Sequence, residues 1–394
     1  MRKKAIKVLN FLQEFSIPLI IGVIIALIWV NLSPESYHYF VHNKILGNLT
    51  LHFFANDIFM VFFFAIATVE ITQSLLPGGD LNPIKRAINP IMATLGGVLG
   101  PVAVYLVLNH LFGSSKFIRG WGIPTATDIA LAWLVARRVF GNYHSAVSFL
   151  LLLAILDDGI GLLIIAIFYP DPVNPVVPIW LLLTLAGMLV AFLFKKYKVK
   201  SYWPYIIFGG ILSWIGLYLT HIHAALALVF IIPFLPHPTK ERSHLYEDDG
   251  NAHSTLRAFE KDWKVFVDFG LLMFGLTNAG VEFSEISTVT WLILLALVIG
   301  KTSGIFIMGW LATLLGFPLP EGMKYKELFV VGLVASMGLT VALFVAGVAF
   351  TDLGIQGGAK MGALFSAGSV IISLIAGNLL GIKRETVKQK IKKK

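Results

Sequence analysis

Two adjacent carboxylates, Asp157 and Asp158, stand in the run LLLLAILDDGIGLLIIAIFY, which holds no other charge. Neighbours on a helix differ by about 100°, so both can lean toward one cavity without sharing one proton symmetrically. A carboxylate withdrawn from water must be neutralised, and either a proton or a hard cation can do it. The two compete for the same oxygens, which is the chemistry of ion-for-proton exchange. A third acid, Asp128, follows Thr127 in GWGIPTATDIA, directly after Gly120, Gly122 and Pro124. A carboxylate there suits the N-terminal end of a helix; it can balance helix dipoles, ligate an ion, or simply act as an N-cap with Thr127. Lys301 lies in LLALVIGKTSGIFIMGWLA with apolar-rich sequence on either side. That depth works against snorkelling to an interface. Its ammonium needs a carboxylate, the carbonyl ends of broken helices, or the loss of its charge.

Other candidates are less isolated. Asp57 and Glu70 bracket the aromatic VFFFAIATVE. They read as acids near the ends of one apolar segment, or, for Glu70, as part of a cytoplasmic funnel that gathers cations. His221 and His223 fall at a tight turn, where structural hydrogen bonding is the plainer role than sensing. Asp268, in KVFVDFGLLMFG, is assigned no role. Asn48-Leu49-Thr50 fits the glycosylation pattern, a match too short to carry weight.

The elements that must hold these groups are membrane helices. Of 394 residues, 57% are hydrophobic and 13% charged, where soluble domains carry about 25% charged. Apolar runs long enough to cross a ~30 Å hydrocarbon layer recur along the whole chain. Length and flanks place twelve spans at about 14–33, 57–76, 90–112, 121–137, 145–169, 176–194, 203–219, 222–235, 263–281, 288–316, 327–350 and 359–381. The basic start MRKKAIK precedes an apolar segment too long for a signal peptide, so that segment reads as a first membrane helix that stays. With both termini cytoplasmic, 26 of the 31 Lys and Arg fall inside, and Lys44, Lys116 and Arg119 fall outside. Lys301 and Lys360 remain in or at the end of spans. This asymmetry obeys the positive-inside rule. It also explains the net charge of +9 as topology rather than as a nucleic-acid surface. Merging the two spans around His221 would put the Lys-rich tail outside, which rejects an eleven-span count. Cysteine is absent, which excludes disulfides and Cys-ligated metals. Residues 236–262 form one polar loop, not a soluble domain.

Two spans read as broken. The fourth carries Gly120, Gly122 and Pro124 before Thr127; the eleventh carries Gly332, Ser336 and Gly338. Interruptions at matching places in two halves point to a transporter's binding site.

From about residue 50 to 380 the chain resembles the NhaA family of sodium/proton antiporters. The strings that carry the likeness are NDIFMVFFFAIATVEI, GWGIPTATDIALA, LLLAILDDGIGLLIIAIFY, HAALALVF, NAGV, GKTSGI, LPEGMKYKELFVVG and SMGLTVALFVAGVAF. The resemblance implies an all-α polytopic fold of twelve transmembrane helices forming a single membrane domain over 1–394. It implies a core of inverted repeats (about 90–169 and 288–381) with the fourth and eleventh helices broken and crossed, and an interface panel (about 14–76 and 176–281). It further implies that Asp158 binds Na+ or Li+ and that Asp157 assists and pairs with Lys301. Asp128 beside Thr127, with Gly338 in the other break, would compensate helix dipoles. Exchange would be electrogenic, two protons in per sodium out, gated by pH and located in the bacterial inner membrane. The partners would be the bilayer, Na+, Li+ and H+, with no cofactor.

The chain also departs from the family. Residues 34–56 are shorter than a family segment that forms an extracellular β-hairpin holding a homodimer; HNKILGNLTL is a candidate remnant. Ile71, Thr72, Gln73 and Ser74 follow Glu70 where charged residues are usual. Glu260 matches a pH-responsive glutamate, but Lys261 and Lys264 stand where histidines often do. Gly-Ile-Gly after the aspartate pair would loosen that helix. Two other readings fit less well. A sodium-coupled symporter would want more polar groups near the breaks than Thr125, Thr127, Ser336 and Thr340. An intramembrane aspartyl protease using Asp128 and Asp158 lacks the Gly-x-Gly-Asp signature, and a buried lysine would hinder its shared proton. The chain is therefore expected to be a transporter and not an enzyme.

Overall fold

The computed structural model describes residues 17–46, 49–79, 81–82, 84–142, 144–171, 174–237 and 254–382. The basic start, residues 14–16 of the first span, Asn48, residues 238–253 of the long loop and the C-terminal tail lie outside the described residues. In chain order the helices are α1 (Ile17–Leu32), α2 (Pro34–His42), α3 (Leu51–Leu75), α4 (Ile84–Phe112), α5 (Ile129–Phe140) and α6 (Ser145–Phe168). They continue as α7 (Pro178–Lys196), α8 (Tyr205–Thr220), α9 (Thr255–Asn278), α10 (Thr288–Leu314), α11 (Tyr325–Ala335), α12 (Thr340–Ala349) and α13 (Leu353–Leu379). The antiparallel strands β1 (Lys44–Leu46) and β2 (Leu49–Thr50) form a small hairpin where the remnant was expected.

Among the described residues six helices are long and apolar enough to span a bilayer, or seven when α11 and α12, bent by 51° at their break, count as one. Three shorter apolar helical segments, Ile17–Leu32, Tyr205–Thr220 and Ala224–Phe234, fall below that length. α9 is long enough but too charged, carrying Arg257, Glu260, Lys261, Asp262, Lys264 and Asp268. The expected helix at 222–235 is instead a pair of 3-10 segments, Ala224–Phe230 and Ile232–Phe234. Pro233 can donate no backbone hydrogen bond there, and His221 has already ended α8 in the left-handed region at φ 63°.

The chain divides into two compact units. Among the described residues the first holds Ile17, 84–161 and 281–382. Within it α4 lies along α10, and a Cβ on Gly96 or Gly100 would strike the backbone of Gly304 or Gly300. Small residues let two membrane helices approach this closely. A wide π turn over Ala296–Lys301 re-aims α10 just where Lys301 projects. α6 enters this unit through Gly161 and stays helical across Gly159-Ile160-Gly161, so the expected loosening does not occur.

The second unit holds the described residues within 18–82 and 162–280. Thr50 caps the start of α3 by accepting the Phe53 N–H at 3.0 Å. The helix therefore begins before the expected 57. Asp57 falls inside its wide turn Phe54–Phe59, and Glu70 is buried at 9% exposure rather than sitting at a span end.

Candidate functional site

In the first unit both breaks are real. A 3-10 segment (Ser115–Thr125) ends at Thr125, the backbone runs extended through Ala126, and α5 starts after Asp128. Pro124 and the two glycines prevent a regular helix there. α11 stops at Ala335 and α12 restarts at Thr340.

The breaks meet each other. The Asp128 N–H donates to the Met337 carbonyl at 2.8 Å. The Thr127 hydroxyl lies 2.9 Å from the Ala335 carbonyl. A Cβ on Gly338 would come within 2.9 Å of the Leu297 side-chain tip and 3.1 Å of the Ala126 carbonyl, so any larger residue would crowd this approach. Unwound backbone in a membrane protein is tolerated where other protein groups satisfy it, and here each break supplies partners for the other.

The charged groups collect at this crossing. Lys301 and Asp157 are each 0% exposed, with Nζ 2.5 Å from Asp157 Oδ2. The same ammonium donates to the Thr125 carbonyl at 2.5 Å, the last residue before the fourth-span break. Lys301 thus has both partners that the sequence left open, a carboxylate and a carbonyl end. Asp157 Oδ2 also accepts from the Thr127 hydroxyl at 2.7 Å. That hydroxyl has one proton and two acceptors, so Asp157 and Ala335 compete for it. Asp157 Oδ1 has no hydrogen-bond partner among the described residues. Asp158, 7% exposed, follows on α6 within electrostatic range of Lys301.

Asp128 caps α5 through Oδ1, which accepts the Leu131 N–H at 3.1 Å. The Thr340 amide and hydroxyl, at the start of α12, face the same carboxylate, while Oδ2 has no partner within hydrogen-bond distance among the described residues. One carboxylate therefore stands between two helix N-termini, whose partial positive charges favour an anion. N-capping and dipole compensation coincide in this geometry.

Two buried oxygens without donors, Asp157 Oδ1 and Asp128 Oδ2, are the ligand type a hard cation takes. A fixed metal cage is a different object. No cluster of three or more His, Cys, Asp or Glu able to hold a metal occurs among the described residues.

The remaining candidates lie in the second unit. Glu70 has Lys264, Glu260 and Asp268 as electrostatic neighbours. The Gln73 side-chain amide donates to Glu260 at 2.7 Å. Glu70 and Glu260 are thus brought together, and Asp268, which sequence reasoning left without a role, joins them. Asp57 is elsewhere, its backbone carbonyl accepting from the Trp214 indole at 3.1 Å. His223 faces Asp171, whose N–H donates to the His221 carbonyl at 2.9 Å.

Two further groups in the first unit were given no role from the sequence. Lys360 is 7% exposed on α13 and is paired electrostatically with Glu285, whose carboxylate lies over Gly357. Ser366, 0% exposed, reaches Gly338 in the second break. A charge in the last apolar span was a visible signal for Lys360; a lone serine there was none for Ser366.

Comparison with known proteins bears on the chain as a whole. Residues 7–380 match the model of the family described as Na+/H+ antiporter 1. The chain is 73% identical over 378 residues to the Na(+)/H(+) antiporter NhaA of Desulfitobacterium hafniense (strain DSM 10664 / DCB-2), covering 96% of this chain and 97% of that one. It is 61% identical over 384 residues to the Na(+)/H(+) antiporter NhaA of Geobacter sulfurreducens, covering 98% and 100%. The solved structure of the sodium proton antiporter MjNhaP1 from Methanocaldococcus jannaschii at pH 8 superposes with a TM-score of 0.56 at 16% identity, over 93% of this chain and 92% of that one, a likeness of fold. These relatives are named as transporters rather than as enzymes. By sequence over nearly its whole length, this chain belongs to the NhaA-type Na+/H+ antiporter 1 family of membrane-spanning transporters.

Proposed function

We propose that the chain exchanges cytoplasmic Na+ or Li+ for external H+ across the bacterial inner membrane, electrogenically, with two protons entering per cation. The observation that carries this reading is the buried Lys301–Asp157 pair beside Asp158, at the point where two broken helices meet. In the proton-loaded state Lys301 is charged and paired with Asp157, and Asp158 carries a proton. A cation arriving at Asp157 and Asp158 displaces the ammonium from its carboxylate. Lys301 then has only the Thr125 carbonyl, too little for a buried charge, and gives up its proton. Asp158 gives up the second. Two protons leave as one monovalent cation binds, so each cycle moves net charge.

The same reading makes the first unit the transport core and the second a panel that carries the acidic funnel of Glu70, Glu260 and Asp268. It takes the apolar segments, including the short, broken and charged ones, as twelve membrane crossings with both termini cytoplasmic. The β1–β2 hairpin is the segment through which two copies would pair. Na+ and Li+ are cargo held in turn by the aspartates, not resident cofactors. The test is Na+- and Li+-dependent collapse of an imposed ΔpH in proteoliposomes, measured across pH and with the membrane potential clamped or free. Cation-driven proton movement faster with a favourable potential supports it. A purified, folded chain that moves no protons in response to either cation overturns it.

A further inference from the structure

Breaking a helix inside a membrane frees backbone groups that must find partners. In the second break the Gly338 N–H lies outside both α11 and α12. It donates to the Ser366 hydroxyl oxygen at 3.1 Å. Ser366 is fully buried on α13, where a short 3-10 turn (Ser366–Gly368) interrupts the helix. Its own proton goes to the Ala363 carbonyl at 2.6 Å, the shorter of two acceptors, with the Gly338 carbonyl at 3.3 Å. The hydroxyl is thereby oriented by its own helix and offers a lone pair to the break.

The consequences run toward the cation site. Ala335 and Met337, on either side of Ser336 and just before Gly338, supply the carbonyls that hold Thr127 and the Asp128 N–H. Thr127 in turn holds Asp157. Without the Ser366 oxygen, the Gly338 N–H has no partner there. Its nearest relief is the carbonyl four residues back, Val334, which in a continuous helix would be its acceptor. Closing that bond winds the break and turns the Ala335 and Met337 carbonyls away from Thr127 and Asp128.

We propose that Ser366 is a positioning residue for cation binding, acting through the Gly338 break and Thr127 on Asp157. This rests on the exchange reading above. It does not follow from that reading, which involves α13 only as part of the core.

The test uses the full chain in proteoliposomes with Ser366→Ala, Ser366→Cys and Ser366→Thr. Ser366→Ala removes the acceptor, Ser366→Cys leaves a weak one, and Ser366→Thr keeps a hydroxyl. The expected result is an apparent KM for Na+ raised roughly fivefold to tenfold in Ser366→Ala, an effect of the size of one unsatisfied buried group. Maximal rate should change by less than about twofold, because the proton-carrying side chains are intact. Ser366→Cys should fall between, and Ser366→Thr should restore most of the affinity. Hydrogen exchange across 333–342 should quicken in the same order. Were Ser366→Ala not to fold, the Cys and Thr variants still order the series. An unchanged KM in folded Ser366→Ala, or equal losses of KM and rate in all three variants, overturns the proposal. A wild-type chain without cation-dependent proton flux instead overturns the exchange reading, and faster hydrogen exchange in Ser366→Ala then tests the contact alone.

Discussion

Lys301→Gln removes one charge from a pair in which both side chains are 0% exposed. Removing one partner of such a pair costs about 3–5 kcal/mol, because the remaining charge stays buried and uncompensated. The Thr127 hydroxyl does not soften this loss, since its 2.7 Å contact with Asp157 already exists in the intact protein. The glutamine amide can still reach toward the Thr125 carbonyl but cannot neutralise a carboxylate. The double change Asp157→Asn with Lys301→Gln removes both charges and leaves two neutral amides. It should therefore regain at least ~2 kcal/mol over Lys301→Gln alone. Equilibrium unfolding in mixed micelles reads the stability. Transport reads the mechanism. With only Asp158 left to exchange one proton for one cation, any surviving flux in the double variant should be electroneutral. The competing account gives Lys301 a structural charge that serves the Thr125 carbonyl, and on that account restoring neutrality at Asp157 gains nothing. A double variant no more stable than the single, with residual flux still driven by membrane potential, would refute the pair as a proton carrier.

Asp158→Asn is expected to abolish both cation and proton movement while the protein stays folded, because Lys301 and Asp157 remain paired; near wild-type Na+-dependent proton flux would rule this out. Thr127→Val, which keeps the shape and removes the hydroxyl, should weaken Na+ binding by about tenfold, since it removes the one proton that Asp157 Oδ2 and the Ala335 carbonyl compete for. Thr127→Ser should be close to neutral, and equal KM values for the two variants would break the argument. Gln73→Leu removes the amide that donates to Glu260 at 2.7 Å. A set-point that depends on this cluster should be displaced, with maximal rate preserved. A pH profile that overlays the wild type in the same salt would disconnect the cluster from the set-point.

The core of the site was legible because charge in an apolar run is expensive and therefore conspicuous. Asp157, Asp158, Asp128 and Lys301 announce themselves in this way, and Gly120, Gly122, Pro124 and Gly338 mark where a helix cannot continue. Sequence could not say which partner Lys301 takes. That depends on Thr125 being the residue whose carbonyl ends the 3-10 segment, a fact of tertiary geometry. The acidic cluster was harder still. Gln73 and Glu260 are 187 residues apart, and no local pattern links them or adds Asp268. Residues 222–235 misled for a different reason. Apolar length alone cannot separate an α-helix from successive 3-10 turns, and the left-handed His221 is not a residue whose type demands that backbone. Ser366 was hidden because a serine in a membrane helix usually bonds a carbonyl of its own helix. It does so here too, and only its second lone pair reaches the break.

The contacts that hold the two breaks open are also those that orient the buried carboxylates proposed to bind the ion, so fold and proposed function cannot be separated at this crossing. Thr127 joins Ala335 to Asp157, Asp128 joins α5 to Met337, and Lys301 joins Asp157 to Thr125. Each group serves one helix end and one charge. On the exchange reading proposed above, a cation that took Lys301's place on Asp157 would do more than release a proton. It would remove one of the ties on the fourth-span break while leaving the ties of Thr127 and Asp128 in place. Differential contacts of this kind are what let a ligand bias one conformation over another. Substitutions here should consequently fail to add: Thr127 and Lys301 share Asp157, so removing both should cost less than their separate effects combined. Lys360 with Glu285, which shares none of these contacts, should add to either.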